Sequence, residues 1–289
     1  MHGGTAAEAA AALKAASSKF AVRLIEPTQL AEELRQAVAS GARRIAVAGG
    51  DGSIGAAAGV LAGSPVELAV IPGGTLNHFA RDHGIPLTVS EAIEVAATGS
   101  AHGADVGVVN KRVFINTSSV GAYVAFVRVR DRLRPLLGYH LASLLGALRT
   151  LTHLRRFSVH LTVAGEDREY ETLLLFMGVG ERSLAPPEFG ARVSGGKRAL
   201  HVMVVGQSRE ARRWMHAYDR ALRVGSGKGV VDEWKGPPVD AFLVDTCRVE
   251  LSRRRGNVAV DGDIVRVMAP LEYRLWRDAL QLVGPRAGS

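Results

Sequence analysis

The strongest constraint on the fold is the segment AVAGGDGSIGAAAG (46–59), where an apolar run ends in clustered glycines and an alanine-rich stretch follows. Residues 43–49 have the length and composition of a buried strand, and residues 55–63 are typical of a helix. The pattern recurs where the apolar run 66–71 leads into a second glycine turn. Because uninterrupted apolar strands are typical of sheets covered on both faces, these units predict a parallel sheet. Both glycine turns should then lie side by side at its carboxyl edge.

Other local patterns place further elements in this first part of the chain. An alanine-rich stretch predicts a helix at 6–18, and an alternating run predicts a strand at 20–25. The amphipathic pattern at 30–41 predicts a helix that ends at Gly41, and another helix is expected at 91–99.

The hydrophobic pattern of the sequence changes after about residue 104. Short alternating runs separated by Gly, Asp or Asn predict a mostly antiparallel β domain, interrupted by a helical stretch at 133–154. The predicted fold class is therefore α/β plus β. A three-layer α/β/α parallel-sheet domain at 1–104 is followed by a β-sandwich-like domain at 105–271. The short join near Gly103 and Asp105 predicts that the two domains face each other across a cleft.

Composition narrows the classes of function. Hydrophobic residues make up 47% and charged residues 22%, which excludes a disordered or fibrous protein. The single cysteine, Cys247, excludes an intramolecular disulfide. No apolar run reaches membrane-span length and no signal peptide is recognisable, so a cytoplasmic location is expected. Residues 106–289 hold 29 Lys or Arg against 18 Asp or Glu, which predicts a negatively charged partner: nucleic acid, a membrane surface or a phosphorylated ligand.

The first glycine turn, Gly49-Gly50-Asp51-Gly52-Ser53, carries the chemistry that the sequence suggests most strongly. Glycines let the backbone approach a ligand closely, and the N-terminus of the following helix favours phosphate. A carboxylate at Asp51 would hold a cation or take a proton beside such a phosphate. The alternative is a plain strand-to-helix turn with a capping aspartate.

The second glycine turn, IPGGTLNHFARDHGIP (71–86), adds neutral and charged groups. Thr75 and Asn77 offer neutral hydrogen bonds. Arg81 would clamp phosphate, or pair with Asp82 on a helix surface. His78 is expected to pack or face solvent rather than act as a catalyst.

Together the two turns resemble the diacylglycerol kinase catalytic-domain family, which includes bacterial lipid kinases and sphingosine kinases within the larger NAD kinase-like group. The family motifs GGDGT and PLGTxNDFAR stand here as GGDGS (49–53) and PGGTLNHFAR (72–81). FINTSSVG (114–121) is similar to the first strand of the family's β domain, and VAVDGD (258–263) to its late V-x-V-D-G-E. The tail 267–285 is similar to the segment that returns to the first domain, so 272–289 is assigned to it.

The resemblance implies an ATP-dependent transfer of the γ-phosphoryl group to a lipid hydroxyl, with the nucleotide in the cleft. Asp51 would lie near the γ-phosphate or its Mg²⁺, which arrives with the nucleotide. Asp263 falls where the family has a proton-accepting glutamate, and Asp261 is a second candidate; the alternative for both is a β-turn Asp-Gly. The implied nucleotide-binding residues are Gly49, Gly50, Asp51, Gly52, Ser53, Ile54, Gly55, Gly74, Thr75 and Asn77.

Three departures from the family pattern bear on that expectation. The family opens with a strand ending in N-P-x-S-G, which is expected to be missing here, so that a sheet edge would be exposed. His78 replaces the Asp of N-D-F-A. In the family's Mg²⁺-binding loop, Lys197 and Arg198 stand where D-G is expected, and a cation cannot ligate Mg²⁺. We therefore predict no metal ligand from residues 194–200.

Residues 128–156 contain seven arginines and one acid, Asp131, around the apolar run LLGYHLASLLGAL. Such a helix would lie on an anionic membrane surface, as peripheral association with the inner face of the membrane requires. The alternative is that its apolar stripe packs in the core. Nucleic acid is disfavoured by the lack of an aromatic stacking array.

A lipid alcohol and ATP are thus the expected substrates, and a homodimer is left open. The competing hypotheses are a degenerate member that binds nucleotide or lipid without catalysis, and a soluble-substrate kinase, which PGGTLNHFAR disfavours.

Overall fold

The computed structural model describes residues 20–152, 155–183, 190–208 and 239–286, together with residue 11. The chain divides into two compact units. Unit 1 comprises Met1–Thr117, Val179–Arg198 and Leu275–Ser289, and unit 2 comprises Ser118–Gly178 and Ala199–Arg274. These limits differ from the predicted domains, because 105–117 and 179–198 fall in unit 1.

The helices and strands follow the chain order below. The helices are α1 (Leu30–Ala39), α2 (Asp51–Leu61), α3 (His78–Asp82), α4 (Val89–Thr98) and α5 (Ala122–Thr152). The strands are β1 (Arg44–Gly49), β2 (Glu67–Pro72), β3 (Ser100–Val109), β4 (Arg112–Phe114), β5 (Thr117–Gly121), β6 (Phe157–Val163), β7 (Glu166–Val179), β8 (Leu200–Ser208), β9 (Val239–Val244), β10 (Thr246–Leu251), β11 (Arg255–Val260), β12 (Asp263–Met268) and β13 (Leu271–Gly284).

Parallel strands form the centre of unit 1. β1 pairs with β2 in parallel, from Arg44 opposite Glu67 to Gly49 opposite Pro72. The last part of β13 pairs in parallel with the other edge of β2, with Leu282 opposite Leu68. The predicted mixed α/β class is confirmed, and both predicted strands that end in glycine turns are present.

The burial of β2 explains its uninterrupted apolar sequence. Leu68 and Val70 pack into a core that includes residues of α1 and α2. Ala69 and Ile71 face the opposite side and pack against residues of α4. Since side chains alternate along a strand, β2 is covered by helices on both faces and is apolar from Leu68 onward.

The strand predicted at 20–25 is not formed, because these residues have no regular secondary structure. They line a cavity of about 650 Å³ together with α1 and β1, and in the described part of the chain β1 has a ladder only with β2. Alternating hydrophobicity makes a strand only where a neighbouring strand offers backbone hydrogen bonds. The helix predicted at 6–18 lies outside the described residues apart from residue 11, which is helical.

Antiparallel pairs dominate unit 2, as the short alternating runs predict. β6 pairs with β7 and β10, β11 pairs with β5 and β12, and β8 pairs with β9, all antiparallel. The sandwich arrangement stays a prediction.

Helix α5 begins at Ala122, eleven residues before the predicted start, and changes direction at Gly138, whose φ is 72°. The alternating FVRVR in its first half is helical because Val124 and Val127, three positions apart, are buried on one face. In the part of the chain that the structure describes, no helix is both long and apolar enough to cross a membrane.

Candidate active site

The two glycine turns lie side by side in unit 1, as the parallel sheet predicts. The Gly73 N–H donates to the Gly49 carbonyl at 2.9 Å. A Cβ at Gly74 would lie 2.6 Å from the Gly50 Cα, and a Cβ at Gly50 would lie 3.2 Å from the Gly74 Cα. The two backbones therefore pack directly on each other, and only glycine fits at position 74 without a shift of the main chain.

Asp51 connects the first turn to the second. It opens α2, and its carboxylate accepts the backbone N–H of His78 at 3.1 Å and that of Phe79 at 3.1 Å. The alternative of an aspartate that caps its own helix is not what the structure shows, because α2 has no side-chain cap and Asp51 binds the first N–H groups of α3 instead. A carboxylate has about four acceptor sites, so two backbone bonds leave further lone pairs for a cation or a proton.

The first turn of α2 offers backbone donors. The N–H groups of Asp51, Gly52 and Ser53 precede the first intrahelical bond, which Ile54 donates to the Gly50 carbonyl at 3.1 Å. An added Cβ at Gly52 would meet nothing within 4 Å, so this backbone borders open space. The Ile54 side chain is 2% exposed and packs in the core. A phosphate at this turn would therefore be held by main-chain N–H groups and the helix dipole.

Asn77 holds the second turn closed. Its backbone is left-handed, with φ 50°, and its side chain accepts the Gly74 N–H at 2.9 Å and donates to the Gly74 carbonyl at 3.0 Å. Thr75 is exposed at the tip. The Arg81 Nε donates to the Leu76 carbonyl at 3.0 Å and so braces the same turn.

The sequence suggested an ion pair between Asp82 and Arg81 as one alternative, but Asp82 pairs with Arg182 instead. The Arg182 Nη1 lies 2.9 Å from the Asp82 Oδ2, and the two side chains are only 4% and 14% exposed. Arg182 also donates to the Val179 carbonyl at 2.8 Å and to the Asn116 carbonyl at 3.3 Å. This buried ion pair fastens the 179–198 segment to α3.

His83 follows α3 and is a half-buried base in a cationic neighbourhood. Burial, together with the charge of Arg192, lowers the pKa of His83 to about 3. Its Nε2 lies 3.1 Å from the Arg192 Nη1. A neutral imidazole accepts at one nitrogen, so the ring accepts a hydrogen bond from Arg192 here.

Asp263, the predicted proton acceptor, lies in unit 2 at an exposed position on the β11–β12 hairpin. Val260 is opposite Asp263, and the two residues between them have φ 48° and 92°, which makes a tight two-residue Asp-Gly turn. Arg130 of α5, whose side chain is 11% exposed, donates to the Gly262 carbonyl at 3.3 Å. Asp51 and Asp263 lie in different units, and their joint action stays a prediction.

The loop at 194–200 does not fit a protein-bound Mg²⁺. Arg198 points its guanidinium at Asp105 and Asp278, and Lys197 is exposed. Within the described ranges, no group of three or more His, Cys, Asp or Glu side chains could hold a metal ion. Sequence reasoning missed the roles of Arg130, Arg182 and Arg198, because a basic residue gives no sign of which distant acid it meets.

Comparison with known proteins relates the first part of the chain to one family. Residues 3–109 match the model of the diacylglycerol kinase catalytic domain. This stretch is similar to that domain. The chain is 34% identical over 155 residues to a Pseudomonas syringae pv. tomato protein named "Probable lipid kinase YegS-like", a match that covers 51% of this chain and 48% of the relative. A diacylglycerol kinase of Staphylococcus carnosus is 24% identical over 218 residues, covering 73% of this chain and 70% of the relative. The chain thus spans about half the length of the YegS-like relative that it matches.

Solved structures of similar fold extend the comparison beyond residue 109. A diacylglycerol kinase structure from Bacillus anthracis str. Sterne matches with a TM-score of 0.60 at 20% identity, covering 93% of this chain and 85% of the other. A second structure from that organism matches with a TM-score of 0.68 at 22% identity and covers 99% of this chain and 93% of the other. The chain therefore shares the fold of these structures over nearly its whole length.

Proposed function

We propose that this chain is an ATP-dependent lipid kinase that transfers the γ-phosphoryl group of ATP to the hydroxyl of a diacylglycerol-like lipid. The observation that carries the proposal is the pair of glycine turns packed backbone to backbone and joined by Asp51. The turns lie within the stretch that matches the diacylglycerol kinase catalytic domain. Phosphoryl transfer depends chiefly on positioning and charge neutralisation, which such a rigid pair of turns provides.

The nucleotide is proposed to bind the residues of the two turns, with MgATP as the substrate complex. Its phosphates would accept main-chain hydrogen bonds from the first turn of α2. The exposed Gly52 backbone leaves room for close approach. The cleft position of the site, with the domain at 1–104 and 272–289 holding ATP and that at 105–271 holding lipid, is part of this proposal.

The proposed reaction is an in-line displacement. The lipid hydroxyl oxygen forms a bond to the γ-phosphorus, the bond from that phosphorus to the bridging oxygen of ADP breaks, and ADP leaves. The Asp263 carboxylate takes the hydroxyl proton. Asp51 keeps α3 and the second turn in place through its two backbone bonds, while its remaining lone pairs would serve a cation beside the phosphates.

A lipid substrate requires access to a membrane, and α5 offers a suitable surface. The arginines at 128, 132, 134 and 149 of the helix are exposed. Each leucine leaving water contributes up to about 2 kcal/mol and each arginine near anionic headgroups about 1 kcal/mol. The apolar stripe of α5 is between 37% and 80% exposed at Leu136, Leu137, Leu141, Leu144, Leu145 and Leu148. We infer that this surface, the leucine face, rests on an anionic membrane.

Vesicle binding tests the leucine face. The double variant Leu144→Glu/Leu148→Glu should bind vesicles of equal phosphatidylglycerol and phosphatidylcholine at least about tenfold more weakly than the unchanged chain. Leu24→Glu is the matched control, because Leu24 is 75% exposed but lies in unit 1. Equal binding by the double variant and the control would contradict the membrane role.

Radiolabel transfer from ATP into total lipid extract tests the kinase. Asp51→Asn and Asp263→Asn should each lower transfer at least about 100-fold. Asp261→Asn is the control for the second, since asparagine suits the same turn. If Asp261→Asn loses transfer while Asp263→Asn keeps it, the proton acceptor is assigned wrongly. No labelled lipid from the folded, unchanged chain would leave the second candidate, a member that binds without catalysis, which the cations at 197 and 198 favour.

A further inference from the structure

One cluster in unit 1 has no part in the proposed nucleotide binding or proton transfer, and it joins three distant stretches of chain. Asp105 belongs to β3, Asp278 to β13, and Arg198 ends the 179–198 segment just before β8. The Arg198 Nε donates to the Asp105 Oδ2 at 2.8 Å. Its Nη2 contacts the Asp105 Oδ1 and also the Asp278 Oδ1, the latter at 2.7 Å. The guanidinium thus bridges two carboxylates with a forked contact on one of them.

Asp105 is the member that needs this cation. Its side chain is 3% exposed, whereas those of Arg198 and Asp278 are 50% and 56% exposed. Burial opposes ionisation of Asp105, but hydrogen bonds from Arg198 and from the Asp278 N–H outweigh it, so its pKa is lowered. A buried carboxylate that stays ionised requires a compensating charge, and Arg198 supplies it.

The backbone around Asp278 is shaped for the same contact. Asp278 has a left-handed φ of 49°, unusual for an aspartate within a strand. In this conformation its N–H donates to the Asp105 Oδ1 at 3.0 Å while its carboxylate reaches Arg198. Gly103 leaves the necessary space, because a Cβ there would lie 2.5 Å from the Asp278 Oδ1. Arg277 adds a hydrogen bond to the Arg198 carbonyl at 3.3 Å.

Drawing together acids from separate segments is a task that proteins often give to a divalent ion, which takes oxygen ligands from several residues. Here the position is filled from within the chain, and the loop that would supply metal ligands by resemblance supplies the guanidinium. We propose that the Arg198 guanidinium takes the place of a bound cation in unit 1. It compensates the charges of Asp105 and Asp278, so that this region folds without a protein-bound divalent ion. The proposal does not depend on kinase activity.

Thermal unfolding without nucleotide tests the proposal. The Tm of the unchanged chain should be the same in EDTA and in millimolar Mg²⁺ or Mn²⁺. Arg198→Met should lower the Tm by about 4–10 °C, because Asp105 is left buried without its partner. In this variant the bare carboxylates should bind Mn²⁺, so that Mn²⁺ restores part of the lost Tm.

Two further variants control the result. Arg277→Met removes a neighbouring cation that donates to the Arg198 carbonyl, and its Tm should not respond to Mn²⁺. Arg198→Lys keeps the charge without the fork, and its Tm should fall between those of the other two variants, even where Arg198→Met does not fold. An EDTA-sensitive Tm in the unchanged chain, or an Arg198→Lys variant no less stable than Arg277→Met, overturns the proposal.

Discussion

The buried ion pair between Asp82 and Arg182 gives the most quantitative test of the site's architecture. The pair measures 2.9 Å, and its side chains are 14% and 4% exposed. Asp82→Asn keeps the shape of the side chain and removes its charge. The guanidinium would remain buried against the Val179 and Asn116 carbonyls and would lose the Asp82 charge.

The expected cost follows from that burial. Removing one partner of a buried pair costs about 3–5 kcal/mol, out of a total stability of roughly 5–15 kcal/mol. An exposed pair provides the matched control: Arg35 and Glu32 lie 3.1 Å apart, with side chains 62% and 64% exposed. Glu32→Gln should therefore cost less than about 1 kcal/mol. On the Tm scale, Asp82→Asn should lose roughly 6–20 °C and Glu32→Gln only about 0–4 °C.

Urea unfolding followed by circular dichroism measures the free energies, and hydrogen exchange locates the loss. Faster exchange should appear in α3 and in residues 179–183, the two stretches that the pair fastens together. The double variant Asp82→Asn/Arg182→Met should regain part of the lost stability, since no unpaired charge stays buried. Equal losses for Asp82→Asn and Glu32→Gln would refute the reasoning.

Three further predictions follow from the same structure. Gly74→Ala should abolish nucleotide binding and lower the Tm, whereas Gly52→Ala should fold normally and weaken only nucleotide binding; equilibrium dialysis with ATP distinguishes them. Because burial and Arg192 lower the pKa of His83 to about 3, the unfolded chain binds the extra proton between about pH 6.5 and pH 3. As the pH is lowered across that window, the free energy of unfolding should decrease by up to about 1.4 kcal/mol per pH unit. His83→Gln should make this pH dependence, measured by urea titrations, less steep. Burial, then the charge of Glu272, raises the pKa of the Cys247 thiol to about 12, so thiol reagents at pH 8 should label it only after unfolding.

The sequence predicted the elements whose signal is local. The run 45–49 and the run 68–71 are apolar at every position, and their pattern identifies both as strands. β2 is buried on both faces from Leu68 onward, whereas in β1 only Val47 is buried. The run 20–25 has an equally good alternation but forms no strand. Its outcome depends on a partner strand, and no local pattern reports whether one is present. The early start of α5 was missed for a related reason, since FVRVR alternates like a strand while its buried valines follow helical spacing.

In the candidate site, too, the features with a local sequence signal were predictable and the contacts between distant residues were not. The glycine turns were predictable, because a glycine cluster between a strand and a helix is typical of a backbone that must turn tightly beside a phosphate. The ion pairs that hold the site were not predictable, since Arg182 meets an acid 100 residues away and Arg198 one that is 93 residues away. The sequence around an arginine does not indicate which distant acid it will contact. Only the fold selects which of the many arginines become buried.

The arrangement around Arg198 also bears on the choice between a kinase and a non-catalytic member of the family. Cations at 197 and 198 argue for a degenerate site only if the carboxylates near them are left without compensation. The structure gives Asp105 a forked contact from Arg198, so the substitution exchanges one kind of charge compensation for another. A nucleotide that brings its own Mg²⁺ does not need a ligand from this loop. The question of catalysis therefore rests on Asp51, which the structure ties to both glycine turns, and on Asp263 at the hairpin of unit 2.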